Sequence, residues 1–275
     1  MIIDAFTFFN ELDLLEIRLN TLDPVVDFFL LVEANKTQTL QDKPFYYEEN
    51  KARFEKFKHK IIHVKLTKCP TNEGNLWTME NYQRNAIKKG LELADQTWMK
   101  ESNPRLQPTD VVMISDLDEI PNPDLVLQAA KMDGAHCLAF GMTFQAYYAN
   151  LVSPKKGWVG TVMTKVETLD VIEPQDLRNI KDSAQRIDDA GWHLSWLGGW
   201  EKAYTKLLSC IEPLDKSEVP SKEEFQKTFE GRVRDGGFFH LTTANDSVPL
   251  QISDDPKYLP PYLAANRDKY PQFFL

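Results

Sequence analysis

The chain has no C-x-x-C spacing, and its three cysteines, Cys69, Cys137 and Cys210, are too few and too scattered for a disulfide framework or a zinc site. That usage fits a reducing compartment. No apolar run approaches the ~20 residues that a membrane-spanning helix needs. The opening MIIDAFTFFNELDLL carries acids inside its first apolar stretch and lacks a basic leader; taken as a complete chain, it is expected to be cytoplasmic. A basic excess is also missing. With 32 Lys and Arg against 41 Asp and Glu, the net charge of -9 and the lack of a basic patch exclude nucleic acid as a partner. Repeats, low-complexity tracts and linkers are absent as well, which favours a single domain over residues 1–275.

What remains is an ordinary balance for a folded enzyme-sized unit, 42% hydrophobic and 27% charged. The N-terminal half alternates apolar runs with helical patterns, the pattern of a mostly parallel sheet flanked by helices. Ile2 to Phe8 reads as a strand, Leu12, Leu15, Leu19 and Leu22 mark a helix, and Asp27 to Glu33 reads as the second strand. Ile61 to Leu66 is a third strand, and a long helix carries Met79, Tyr82, Ala86 and Ile87 towards Asp95. The strand Val111 to Ile114 then runs into Ser115-Asp116-Leu117-Asp118-Glu119. Pro121 and Pro123 suit a helix start, Asp124 to Met132 is helical, and Ala135 to Phe140 returns as a strand. Beyond Phe144 aromatics mix with glycines and acids, and the pattern loosens.

Three carboxylates in four residues repel one another, and such a cluster persists where a hard cation or positive side chains compensate it. A buried strand would deliver Asp116 and Asp118 to the carboxyl edge of the sheet, where open α/β sheets bind ligands. Mg²⁺ or Mn²⁺ with substrate phosphates is the commonest solution of that kind. Acids that cap or open the following helix are the plain alternative.

The segment VVMISDLDEIPNP, residues 111–123, resembles the D-x-D segment of glycosyltransferase family 17, the β-1,4-mannosyl-glycoprotein 4-β-N-acetylglucosaminyltransferases. So do FFNELDLLEIRLNTL, DFFLLVEANKTQT, ENYQRNAI and GWHLSWLGGWEKAYTKL, in that order around it. The resemblance implies a GT-A type nucleotide-sugar-binding fold, with residues 1–145 as the nucleotide-binding half and 146–275 as the acceptor-side half. It implies inverting transfer of a sugar, typically N-acetylglucosamine, from a UDP-sugar donor to a glycan acceptor, with Mn²⁺ or Mg²⁺ bridging the acids and the diphosphate. The family's animal members are Golgi-anchored, so the missing anchor points to a microbial or viral glycan as acceptor.

Further site candidates follow. Asn10, Glu11 and Glu33, at the first two strand ends, suit the nucleoside, although capping explains Asn10 and Glu11 almost as well. Arg84 either reaches the diphosphate or a site acid, or forms an i, i+4 pair with Glu80. His193 is a candidate third metal ligand or diphosphate contact, or a buried histidine satisfied by backbone; His240 competes for that role, while His59, His63 and His136 look like surface or core positions. Inversion by direct displacement needs a base outside the metal cluster. Glu201, after Gly198-Gly199-Trp200, is preferred, with Asp188 and Asp189 competing; a first-turn glutamate favoured by the helix dipole is the plain reading. Two rivals remain: a haloacid-dehalogenase-like phosphatase, in which Ile120 is a near miss for the expected threonine or valine, and a non-catalytic sugar- or nucleotide-binding protein.

Overall fold

The computed structural model describes residues 1–71, 75, 77–100, 105–132, 134, 136–210, 219–235 and 249–275. The apolar run at the N-terminus forms β1 (Ile2–Phe8), and the leucine-periodic segment after it forms α1 (Leu12–Leu22), which returns the chain to β2 (Phe28–Ala34) parallel to β1. Side chains alternate along β1 as a strand requires. Ile3 and Ala5 enter one core, with Leu30, Val32, Ile87 and Leu91, while Phe6 and Phe8 enter the other, with Leu15 and Leu19 of α1.

A short helix α2 (Tyr46–Glu49) and a 3-10 segment (Lys51–Phe57) lead to β3 (Ile61–Leu66). The long helix expected across 79–95 divides into α3 (Thr78–Asn85) and α4 (Ile87–Lys100), joined at Ala86. β4 (Val111–Asp116) follows, then β5 (Glu119–Pro121) and α5 (Pro123–Ala129). Pro123 opens α5, and the Asn122 side chain caps it by accepting from the Asp124 amide at 3.0 Å. Pro121 instead ends β5.

The second half adds β6 (Leu138–Ala146), the long β7 (Leu151–Lys165), α6 (Pro174–Asn179), β8 (Gln185–Ile187), β9 (Gly191–Ser195), α7 (Gly199–Ser209), α8 (Lys222–Asp235), β10 (Gln251–Ile252) and α9 (Pro261–Ala265). The strand order is β3-β2-β1-β4-β7-β6-β9-β5, with β10 on β7 and β8 on β6. The α/β sheet flanked by helices is as expected, and among the described residues it is mixed: five pairings are parallel, while β4–β7, β6–β7, β5–β9 and β7–β10 are antiparallel. The apolar-run reasoning holds for β1 to β4. It cannot see that β7 is a hairpin return of β6 that inserts beside β4.

This topology positions the site. β5 follows β4 after a two-residue turn yet pairs with β9 at the other end of the strand order, so the sheet curls round and Glu119 lies opposite His193. Gly191 makes the pairing possible, because a Cβ there would lie 2.3 Å from the Ile120 carbonyl oxygen.

Candidate functional site

The acidic turn between β4 and β5 is held on two sides. Beneath it, Arg18 of α1 is fully buried and forks the Asp4 carboxylate at 2.6 and 2.8 Å. The same guanidinium donates to the carbonyls of Asp116 (3.1 Å), Leu117 (3.1 Å) and Glu119 (2.7 Å) and to the Ser115 hydroxyl (2.5 Å).

Above it the carboxylates meet cations. Asp116 is 36% exposed and accepts from Arg84 at 2.6 Å, from Arg178 at 3.2 Å and from the Thr7 hydroxyl at 3.2 Å. Burial opposes its ionisation, but Arg84 and Arg178 outweigh burial and hold its carboxyl far below the usual range. Glu119 points inward and receives Arg178 through both oxygens and the Trp158 indole at 2.7 Å. Asp118 faces the other way, 3.0 Å from Lys206 Nζ and 3.7 Å from His193 Nε2. Burial pushes Lys206 down, but Asp118 beside it pushes further up, so its ammonium stays charged. Burial lowers His193, favouring the neutral imidazole, and its Nδ1 has no hydrogen-bond partner among the described residues. The ring packs 4.5 Å from that of Trp158.

Asp118 and Lys206 line a solvent-open cleft of about 600 Å³ together with Asn10, Glu11, Trp196 and Lys202. The two sequence candidates at the end of β1 thus reach the same space as the acidic turn. Glu11 stands at the cap position of α1, but its side chain makes no cap bond to the helix and instead accepts the Asn10 amide at 3.0 Å. Glu33 lies elsewhere. It is fully buried and accepts from the Tyr46 and Tyr47 amides, Lys43 and His63, so its oxygens are already engaged. Both readings of Arg84 hold together, since it bonds Glu80 at 3.0 Å as well as Asp116.

The three base candidates are all exposed. Glu201 sits in the first turn of α7, 71% exposed, one turn before Thr205 of the cleft wall. Asp188 is 70% exposed and pairs with Arg186, and Asp189 occupies the turn before β9. From Asp189 to Leu194, whose amide bonds the Asp118 carbonyl, the chain runs roughly 15 Å at strand spacing. His240 lies outside the described residues. His63 is enclosed beside Glu33 and Tyr47.

Sequence reasoning did not single out Arg18, Arg178 or Lys206. Arg18 and Lys206 lie inside quoted family-like segments, and Arg18 also sits on the apolar face of its helix, three residues after Leu15 and four before Leu22. An arginine there is a signal that something buried awaits it. Arg178 gives no such signal.

A divalent cation shared with phosphates takes one or two carboxylates. The donor set suits it: an ionised, partly open Asp116, and an Asp118 oxygen facing a neutral imidazole. Among the described residues, no three His, Cys, Asp or Glu side chains form a ready cage. Phosphate oxygens would have to complete the shell.

The family model for glycosyltransferase family 17 matches residues 1–203. The chain belongs to that family. The human β-1,4-mannosyl-glycoprotein 4-β-N-acetylglucosaminyltransferase is 27% identical over 98% of this chain and 54% of its own length, and its Rattus norvegicus counterpart is 26% identical over 98% and 53%. This chain therefore spans about half the length of the curated relatives it matches. The crystal structure of the galactosyltransferase LgtC with donor and acceptor sugar analogs aligns at TM-score 0.34 and 8% identity, over 84% of this chain and 95% of that one. Membership of family 17 removes the haloacid-dehalogenase alternative. Among the described residues, no helix is long and apolar enough to cross a membrane.

Proposed function

We propose that this family 17 chain is an inverting, metal-dependent glycosyltransferase that moves N-acetylglucosamine from a UDP-sugar to a glycan hydroxyl. The observation that carries the reading is the acidic turn at the β4 strand end, with Asp118 opening into a cleft beside Lys206. The names of the relatives support the donor sugar and the glycan acceptor.

Asp116, Asp118 and His193 would hold Mn²⁺ or Mg²⁺, whose chemistry there is to neutralise charge on the departing diphosphate. Arg84 keeps Asp116 ionised and oriented, and Arg178 does the same while anchoring Glu119. Lys206, charged and at the cleft wall, adds a second positive group towards a diphosphate. Asn10 and Glu11 offer an amide and a carboxylate to donor hydroxyls. Glu201, at the rim of α7, takes the acceptor proton as the hydroxyl attacks the anomeric carbon and the UDP leaves.

The test is transfer from UDP-N-acetylglucosamine to a panel of glycan acceptors with Mn²⁺, for the wild type and for Asp116→Ala and Asp118→Ala. Transfer by the wild type and a loss of roughly 10³-fold in both variants are expected. Full activity in either variant, or in a chelator, overturns the metal role. UDP binding with no transfer to any acceptor would favour the non-catalytic binding reading instead.

A further inference from the structure

A turn bearing Asp116, Asp118 and Glu119 has to keep three like charges close together, and their mutual repulsion acts to open it. The cations above the turn act on side chains. The guanidinium below it acts on the backbone, collecting the carbonyls of Asp116, Leu117 and Glu119 at one point, while the Leu194 amide and the Thr161 hydroxyl add single bonds to the Asp118 and Glu119 carbonyls. Carbonyls held on both sides of Asp118 fix the main chain of the turn, and with it the directions in which Asp116 and Asp118 leave it. The geometry points to Arg18 as the positioning residue of the site: it never meets the donor, and it sets the direction of Asp116 and Asp118 through the turn that carries them.

Three features support a positioning role over simple packing. The guanidinium makes six hydrogen bonds, and four of them go to residues 115–119. Asp4, from β1, occupies the Nε and one Nη edge of the fork, which fixes the plane of the group and aims its remaining nitrogen at the carbonyls. The Phe6 ring lies 4.6 Å from the guanidinium carbon and closes its face. Lysine could supply the charge in that place but not three fixed directions of donation.

Removing Arg18 alone strands Asp4 in the core and risks unfolding. The decisive variant is therefore Asp4→Leu/Arg18→Met, which replaces the pair by apolar groups of similar length, with Arg18→Lys beside it. Two readouts are taken on folded protein. Hydrogen exchange of the 115–120 amides is expected to quicken about tenfold or more in both variants while the β1 and β2 amides are unchanged. The paramagnetic resonance signal of Mn²⁺ bound in the presence of UDP is expected to weaken, with affinity down about tenfold. A merely structural role would lower the melting temperature and leave the Mn²⁺ affinity of the folded fraction where it was.

The inference rests on the metal reading for its second readout alone. Unchanged exchange in 115–120 overturns the positioning role, and so does undiminished Mn²⁺ affinity in a variant whose turn has loosened. If the wild type itself binds no Mn²⁺ with UDP, the metal reading fails. Faster exchange in the variants then still upholds Arg18 as the residue that shapes the turn.

Discussion

The two faces of the acidic turn are built differently. Below, one guanidinium is saturated by backbone carbonyls and a buried aspartate, all of them fixed by β1, β4 and β5. Above, the buried Arg84 and Arg178 meet a partly exposed Asp116, and Lys206 meets Asp118 at the cleft wall, side chain to side chain. The contacts below cannot be exchanged without moving the main chain. Those above can be traded for a cation or a diphosphate by rotating side chains. The difference shows how one turn can be rigid in position and still change partners.

The largest effect should come from breaking the lower face. Arg18→Ala leaves Asp4 as an unpaired buried charge, and a loss of about 3–5 kcal/mol is expected in chemical unfolding. A loss within about 1 kcal/mol, the range of exposed ion pairs, would mean that water reaches Asp4 and that the two faces are alike.

On the upper side the expected changes concern turnover rather than stability. Glu201→Gln should keep donor affinity and the melting temperature while transfer falls at least about 10²-fold. Glu11 also lines the cleft, so Glu11→Gln is the matched control and should raise KM for the donor more than it lowers kcat. Near-normal transfer by Glu201→Gln with a collapse in Glu11→Gln would move the base to Glu11.

Between the two lies the join of β5 to β9, which brings Asp118 alongside His193. Gly191→Ala would drive a methyl into the Ile120 carbonyl and to 2.9 Å from Pro121 Cα. A loss of roughly 1–3 kcal/mol is expected, with weaker Mn²⁺ binding as the strands part. Destabilisation with Mn²⁺ binding intact would show that the turn does not depend on this join.

Much of this was legible in residues. The apolar strands before Asp116, the helix start at Pro123 and the strand-end position of Asp116 and Asp118 all follow from local pattern, while the Asn122 cap was not read. The break at Ala86 was not legible, since both helical segments continue the same apolar spacing. Nor was the insertion of β7 beside β4, because an alternating strand does not state which neighbour it will take. Arg178 escaped for a related reason: its partners Asp116 and Glu119 lie 62 and 59 residues away, and no local rule links them. Asp4 and Arg18 are the instructive case. Each is a charge on the apolar side of its own element, 14 residues apart, and two such violations facing each other predict a buried pair.

The smallest effect belongs to the outer side of the helix that carries Arg18. Glu16 on α1 pairs with Arg53 at 2.5 Å and with Lys269. Burial raises its pKa, but the bonds from Lys269 and Arg53 together outweigh that and leave it below the usual glutamate value. A depressed folded-state value means that the stabilisation is complete above the unfolded pKa of about 4.3 and is lost as pH falls through the lower folded value. Glu16→Gln should therefore cost no more than about 1 kcal/mol at pH 7, shrink in high salt, and match the wild type once the solution is acid enough to protonate the folded glutamate. Should the cost instead equal that of Arg18→Ala and persist in salt, α1 would be clamped as firmly from outside as from within, and the contrast between exchangeable and fixed contacts would not extend to this helix.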